Sequence, residues 1–127
     1  MTTAQAMRVP YSYLDREFAD PSDILGDIAT LAATGDFTLG YPVREFEERV
    51  RAFTGLPHAV GMASGTDALT LALMAVGVGH GDEVITATNS FVASAGAIRM
   101  AGATPVLVDV AEDYLIDPEA VERAVTQ

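Results

Sequence analysis

Cysteine and lysine are both absent from this chain of 127 residues. Without cysteine there are no disulfides, no thiolate zinc or iron–sulfur ligands and no thiol nucleophile. Without lysine, the N-terminus is the primary amine the sequence offers. All seven basic residues are arginines: Arg8, Arg16, Arg44, Arg49, Arg51, Arg99 and Arg123. Against 18 Asp and Glu they leave a formal charge of −11. Such an acidic chain repels phosphate backbones, so no nucleic-acid partner is expected. No apolar run approaches the roughly 20 residues that cross a bilayer. Met1 to Pro10 is polar and has no apolar segment behind a basic start, so no secretory signal is seen. The expectation is a cytoplasmic protein with no membrane partner. His58 and His80 have no His or Cys at ligand spacing, so no metal site is expected. There is no internal repeat.

What is present is globular. Half the residues are hydrophobic, and the length suits one domain that buries roughly two-thirds of its unfolded surface. Residues 1–20 read as an irregular arm. Ser22 can cap a helix to about Thr34 with Ile24, Leu25, Ile28 and Leu31 on one stripe, ended by Gly35. Residues 37–42 read as a loop. Val43, Phe46, Val50 and Phe53 mark a second amphipathic helix, closed by Gly55. Its Glu45, Glu47 and Glu48 fit a solvated face paired with Arg49 and Arg51. Residues 59–62 are short, small and apolar, like a buried strand. A turn at 64–66 leads to a helix from Asp67 to about Val76. A strand at 83–87, a helix near 91–101, a strand at 104–108 and a helix at 119–125 follow. This alternation predicts an α/β protein with a mostly parallel sheet and flanking helices.

Two segments stand out chemically. In Met62-Ala63-Ser64-Gly65-Thr66-Asp67-Ala68-Leu69 a helix begins at a glycine flanked by hydroxyl residues. Unpaired amides and the positive end of the helix dipole suit an anion there, and Ser64 and Thr66 can add hydroxyl donors. An ordinary N-cap with a tight turn explains the same residues. The segment is no Walker A loop, since that needs lysine. No dinucleotide fingerprint follows a strand, because Gly77-Val78-Gly79-His80-Gly81 precedes one. The second segment is Thr88-Asn89-Ser90-Phe91-Val92-Ala93-Ser94, also directly after a strand. Ligands of parallel sheets sit at the carboxyl ends of strands. Phe91 can offer a flat face to a planar ring, or pack as a first-turn core residue.

The order of Phe37-Thr38-Leu39-Gly40, Val43-Arg44-Glu45-Phe46-Glu47, Ser64-Gly65-Thr66-Asp67-Ala68-Leu69, Gly81-Asp82-Glu83-Val84-Ile85-Thr86, Phe91-Val92-Ala93-Ser94 and Gly102-Ala103-Thr104-Pro105-Val106 resembles the DegT/DnrJ/EryC1/StrS family of pyridoxal-phosphate-dependent sugar aminotransferases. The resemblance covers about residues 35–125. It implies the N-terminal part of a type I, aspartate aminotransferase-like large domain. Residues 1–34 would be an arm and first helix, and 35–127 the first part of the cofactor-binding domain. It further implies that Ser64, Gly65 and Thr66 hold the cofactor phosphate and that Phe91 stacks on the pyridine ring. Residues 37–40 resemble a segment near the sugar site, although Gly40-Tyr41-Pro42 stands where Gly-Pro is more usual. Thr88-Asn89-Ser90 replaces a commoner proline-containing stretch and is similar to members acting on 3-keto sugars. Implied partners are a nucleotide-linked keto sugar, an amino-acid donor, glutamate above all, and a second subunit in a homodimer.

Two elements of that family find no counterpart in the sequence. One is the acid that pairs with the pyridine nitrogen; Asp109, at a strand end, is better explained by turn capping. The other is the lysine that bonds the cofactor covalently, and arginine cannot replace it because its guanidinium stays protonated. The 127 residues are therefore expected to form part of a longer enzyme, with no catalytic residue of their own. A dehydratase of the same fold is one alternative. A non-catalytic binding module is the other, if the chain is complete.

Overall fold

The computed structural model describes residues 11–126. They form two compact units, one ending at Ala59 and the other starting at Val60.

The first unit is helical, with α1 (Leu14–Glu17), α2 (Ser22–Thr34) and α3 (Tyr41–Thr54). The arm expected over 1–20 thus carries one helical turn, and its first ten residues lie outside the described ones. Ser22 is the first residue of α2 rather than its cap; the Asp20 carboxylate accepts the Ser22 amide at 3.1 Å. Gly35 ends α2 at φ 70°, its amide bonded to the Leu31 carbonyl. α3 starts two residues before the expected Val43. Pro42 sits in its first turn, where no intrahelical N–H is needed. The Asp36 carboxylate caps this start by accepting the Tyr41 amide at 3.0 Å. That carboxylate lies so close to Gly40 that a Cβ there would be 2.3 Å from it. Arg49 pairs with Glu45 and Arg51 with Glu48 along the exposed side of α3, as its sequence predicts.

The second unit contains α4 (Gly65–Ala75), β1 (Glu83–Ala87), α5 (Val92–Met100), β2 (Thr104–Val108) and α6 (Pro118–Ala124). β1 and β2 pair in parallel, from Glu83 opposite Thr104 to Ala87 opposite Val108. The ladder continues at both ends, through Thr104 N–H to the Asp82 carbonyl and Thr88 N–H to the Val108 carbonyl, each at 2.9 Å. Parallel neighbours need a crossover, and α5 supplies it while packing on α4 and on both strands. The core gathers there: Ala97, Ile98, Ala101, Ala103 and Val108 are buried. Small residues let α5 approach closely, and burying Ile98 contributes about 1.5–3 kcal/mol. The strand expected at 59–62 does not form. Among the described residues the sheet is two-stranded, β1 with β2, and a run of small apolar residues does not by itself specify a strand.

The loop after α4 and the turn after α5 meet. Gly102 adopts φ 93°, and a Cβ on it would stand 3.4 Å from the His80 backbone nitrogen. Asp82 holds the same loop by accepting the Gly79 amide at 2.7 Å.

Two predictions follow from these features. Gly102→Ala should destabilise by about 1–2 kcal/mol, since a side chain there is strained at positive φ. Gly26→Ala, inside exposed α2 with nothing within 4 Å of the new methyl, should stabilise by about 0.5–1 kcal/mol; denaturant midpoints of the two variants should move in opposite directions. The hydrogen bonds from Arg51 also hold the Glu48 carboxyl below its usual range. That pairing favours the ionised form, so its contribution is present above the ordinary carboxylate range and is lost as pH falls below it. In Arg51→Met the Glu48 carboxyl resonance should titrate at higher pH than in the parent; an unmoved midpoint would mean the pair does not persist in solution.

Candidate functional site

α4 begins at Gly65 because Ser64 caps it. The Ser64 hydroxyl accepts the Asp67 amide at 3.1 Å and donates to the Asp67 carboxylate at 3.0 Å. The Ser64 carbonyl accepts the Ala68 amide. The first-turn amides of Gly65 and Thr66 have no carbonyl one turn back to bond, as at any helix start. Gly65 is exposed, and no atom lies within 4 Å of where its Cβ would be. The backbone of Gly65 is therefore open on its Cβ side.

α5 begins one residue after Phe91, whose extended backbone makes it the N-cap. The preceding turn is fixed by Ser90 N–H to the Ala87 carbonyl at 3.2 Å and by the Ser90 and Ser94 hydroxyls, 2.7 Å apart. The Asn89 side-chain amide donates to the Tyr114 carbonyl at 3.0 Å. The Phe91 ring is 76% exposed, so it is not the core residue that its place in the first turn could have made it.

Topology brings these two helix starts to one edge. α5 runs from the carboxyl end of β1 back to the start of β2, and therefore points against the strands. The loop after α4 touches the turn after α5 at Gly79, His80 and Gly102, and α4 packs along α5. With their C-termini toward the amino edge of the sheet, both helices start toward its carboxyl edge. A groove of about 260 Å³ opens at the start of α5, lined by Thr88, Ser90, Phe91, Val92 and Leu107 among others; Ser64, Gly65 and Thr66 are not among its lining residues. A second groove, of about 320 Å³, lies in the helical unit. Asp27, Asp36 and Glu45 line it, which suits an anionic ligand poorly.

Among the described residues of this unit, neither arginine is shown at the start of α4. Arg99 is in the last turn of α5, at the opposite edge, and Arg123 is in α6 beside Asp117 and Glu119. An anion at the start of α4 would be held by the Gly65 and Thr66 amides, the Thr66 hydroxyl and the helix dipole. Ser64 differs from its neighbours because its one hydroxyl proton is already given to Asp67. The S-x-x-D spacing, like that of a capping box, signalled the cap on the Asp67 amide but not the destination of the hydroxyl proton. The tie from Asn89 to Tyr114 spans 25 residues and had no local signal. His80 lies at the amino edge, against Gly102, and among the described residues no three His, Cys, Asp or Glu side chains group as a metal site.

Ser64→Ala should cost about 0.5–2 kcal/mol of stability through the lost cap. Thr66→Ala, whose hydroxyl holds no cap, should leave the denaturation midpoint nearly unchanged. Equal losses in the two variants would contradict this division of roles.

The profile of the DegT/DnrJ/EryC1/StrS aminotransferase family matches residues 20–127. The dTDP-3-amino-3,4,6-trideoxy-alpha-D-glucose transaminase of Micromonospora megalomicea subsp. nigra is 44% identical over 117 residues, 91% of this chain and 31% of that protein. The UDP-N-acetyl-3-dehydro-alpha-D-glucosamine 3-aminotransferase of Acidithiobacillus ferrooxidans is 43% identical over 124 residues, 96% of this chain and 34% of that protein. Among solved structures, Bacillus subtilis NtdA with bound cofactor PMP superposes with a TM-score of 0.84 at 32% identity, covering 99% of this chain and 30% of that one. The chain spans about a third of the length of the curated relatives it matches. Its α/β architecture with a parallel sheet is that of the corresponding part of these aminotransferase structures. The chain belongs to the DegT/DnrJ/EryC1/StrS aminotransferase family.

Proposed function

We propose that these residues are the N-terminal part of an enzyme that moves an amino group from an amino acid, glutamate in the simplest case, to a keto group of a nucleotide-linked sugar, with pyridoxal phosphate as cofactor. On this reading residues 35–127 open the cofactor-binding large domain, and the enzyme is a cytoplasmic homodimer. Among the described residues no helix is long and apolar enough to cross a membrane. What supports the reading is an open helix start at Gly65 and an exposed Phe91 at the start of the helix that follows β1. It is supported by relatives named as transaminases of dTDP- and UDP-linked sugars.

The residues fit the cofactor. Its phosphate would be held by the Gly65 and Thr66 amides and the Thr66 hydroxyl, with Ser64 holding the turn in shape. Its ring would lie against Phe91. When bound, pyridoxal phosphate supplies a reactive aldehyde and a ring that withdraws electrons. This chain's part is to fix both ends of that molecule and to keep water off one face of the ring. The lysine amine of such chemistry is not among these 127 residues, and in the proposed enzyme it is supplied from elsewhere.

In the holoenzyme, Thr66→Ala should weaken cofactor retention by about 1–3 kcal/mol, as for removing a partner of a charged group. Phe91→Ala should shift the absorbance of the bound cofactor. Equilibrium dialysis and visible spectra read both effects; unchanged affinity together with an unchanged spectrum would sink the assignment.

A further inference from the structure

The Phe91 ring has little packing of its own, being 76% exposed. Its placement therefore depends on the backbone that carries it. On the helix side that backbone is held by local bonds: Ser90 N–H to Ala87, Ser94 N–H to Phe91, and the contact between the Ser90 and Ser94 hydroxyls. These bonds fix the turn to β1 and α5, and Thr88 N–H joins its start to the Val108 carbonyl at the end of β2. Beyond β2 itself, the turn is linked to the following loop by Asn89, whose amide donates to the Tyr114 carbonyl.

That loop is itself a defined structure. Val110 and Ile116 form an antiparallel bridge, Ala111 N–H bonds the Leu115 carbonyl, and Tyr114 N–H bonds the Ala111 carbonyl. Asp113 accepts the Leu115 amide at 3.0 Å. Tyr114 stands at φ 65°, a conformation that costs energy for a bulky residue and persists where surrounding bonds determine it. An accepted hydrogen bond at its carbonyl is one of those determinants.

We propose that Asn89 is a positioning residue: by tying the turn after β1 to the loop after β2, it sets the angle at which Phe91 meets a planar ring. This role rests on the assignment of Phe91 to the cofactor ring made above. Asn89 touches neither cofactor nor substrate in this role, and acts through the backbone two residues away.

The test compares Asn89→Asp with Tyr114→Gly. The first keeps the side-chain shape and removes the donor. The second keeps the accepting carbonyl and relieves the left-handed strain. In the cofactor-free protein, Asn89→Asp should speed hydrogen exchange at the Ser90, Ala111 and Tyr114 amides about fivefold, as for loss of one hydrogen bond. In the holoenzyme the same variant should shift the visible band of bound pyridoxal phosphate and lower kcat, with KM for the amino donor little changed. Tyr114→Gly should leave the band where it is. Unchanged exchange in Asn89→Asp overturns the tether, and faster exchange with an unmoved band overturns the positioning role. If the unaltered protein takes up no pyridoxal phosphate while exchange still responds to Asn89→Asp, the functional assignment fails, and the positioning role fails with it.

Discussion

Parallel pairing of β1 with β2 is the constraint from which the site geometry follows. Two parallel neighbours cannot be joined by a short turn, so the chain must travel the length of the sheet and return. α5 makes that journey, and its direction is then no longer free. α4 packs beside it and delivers the chain into β1 from the same edge that α5 reaches at its end. The contact of Gly102 with His80 closes this arrangement at the amino edge. Both helices consequently start toward the other edge, and this direction is set by the strands rather than by the residues at the helix starts.

This explains why the supporting features lie far from the chemistry. Gly102, the Asp82 cap and the buried Ala97, Ile98 and Ala103 sit at the back or in the middle of the layer. The front edge is left polar and exposed. Ser64, Gly65, Ser90 and Phe91 are all exposed, and each is held by hydrogen bonds or backbone form rather than by burial. Loops that carry function on a rigid scaffold have this character.

Much of the scaffold was legible in the sequence because its signals are local. Gly35 and Gly55 both end helices in the left-handed conformation that glycine takes without cost. Asp117 caps α6 at the Asp-Pro step, accepting the Glu119 amide. Alternating helix and strand patterns gave the parallel order. The failures are equally physical. Residues 59–62 have strand-like composition, but pairing is a tertiary property and no pattern of small residues reveals whether a partner is present. Pro42 read as a loop residue, although proline is also at home in a first turn. At the candidate site, the helix start itself was visible from Ser64-Gly65-Thr66. What composition could not show is that Ser64 spends its proton on Asp67, or that Asn89 reaches across to Tyr114.

The acidity of the chain raises the question of how it could hold a phosphate at all. A net charge of −11 repels an anion, and the arginines of the second unit lie away from the α4 start. Distance and screening decide the outcome. At physiological ionic strength exposed charges beyond about 8 Å are largely screened, which removes most of the carboxylates from account. Amide donors at hydrogen-bond distance are not screened in this way, and the helix dipole is concentrated in the same first turn. Asp67 is the near exception, one turn residue from the donors. Its carboxylate accepts the Ser64 hydroxyl, which ties it to the capping side and disperses part of its charge. A backbone cradle of this kind needs no lysine or arginine to hold an anion. It also makes binding depend on the shape of a turn, which is why a serine that cannot donate to the ligand still matters to the site.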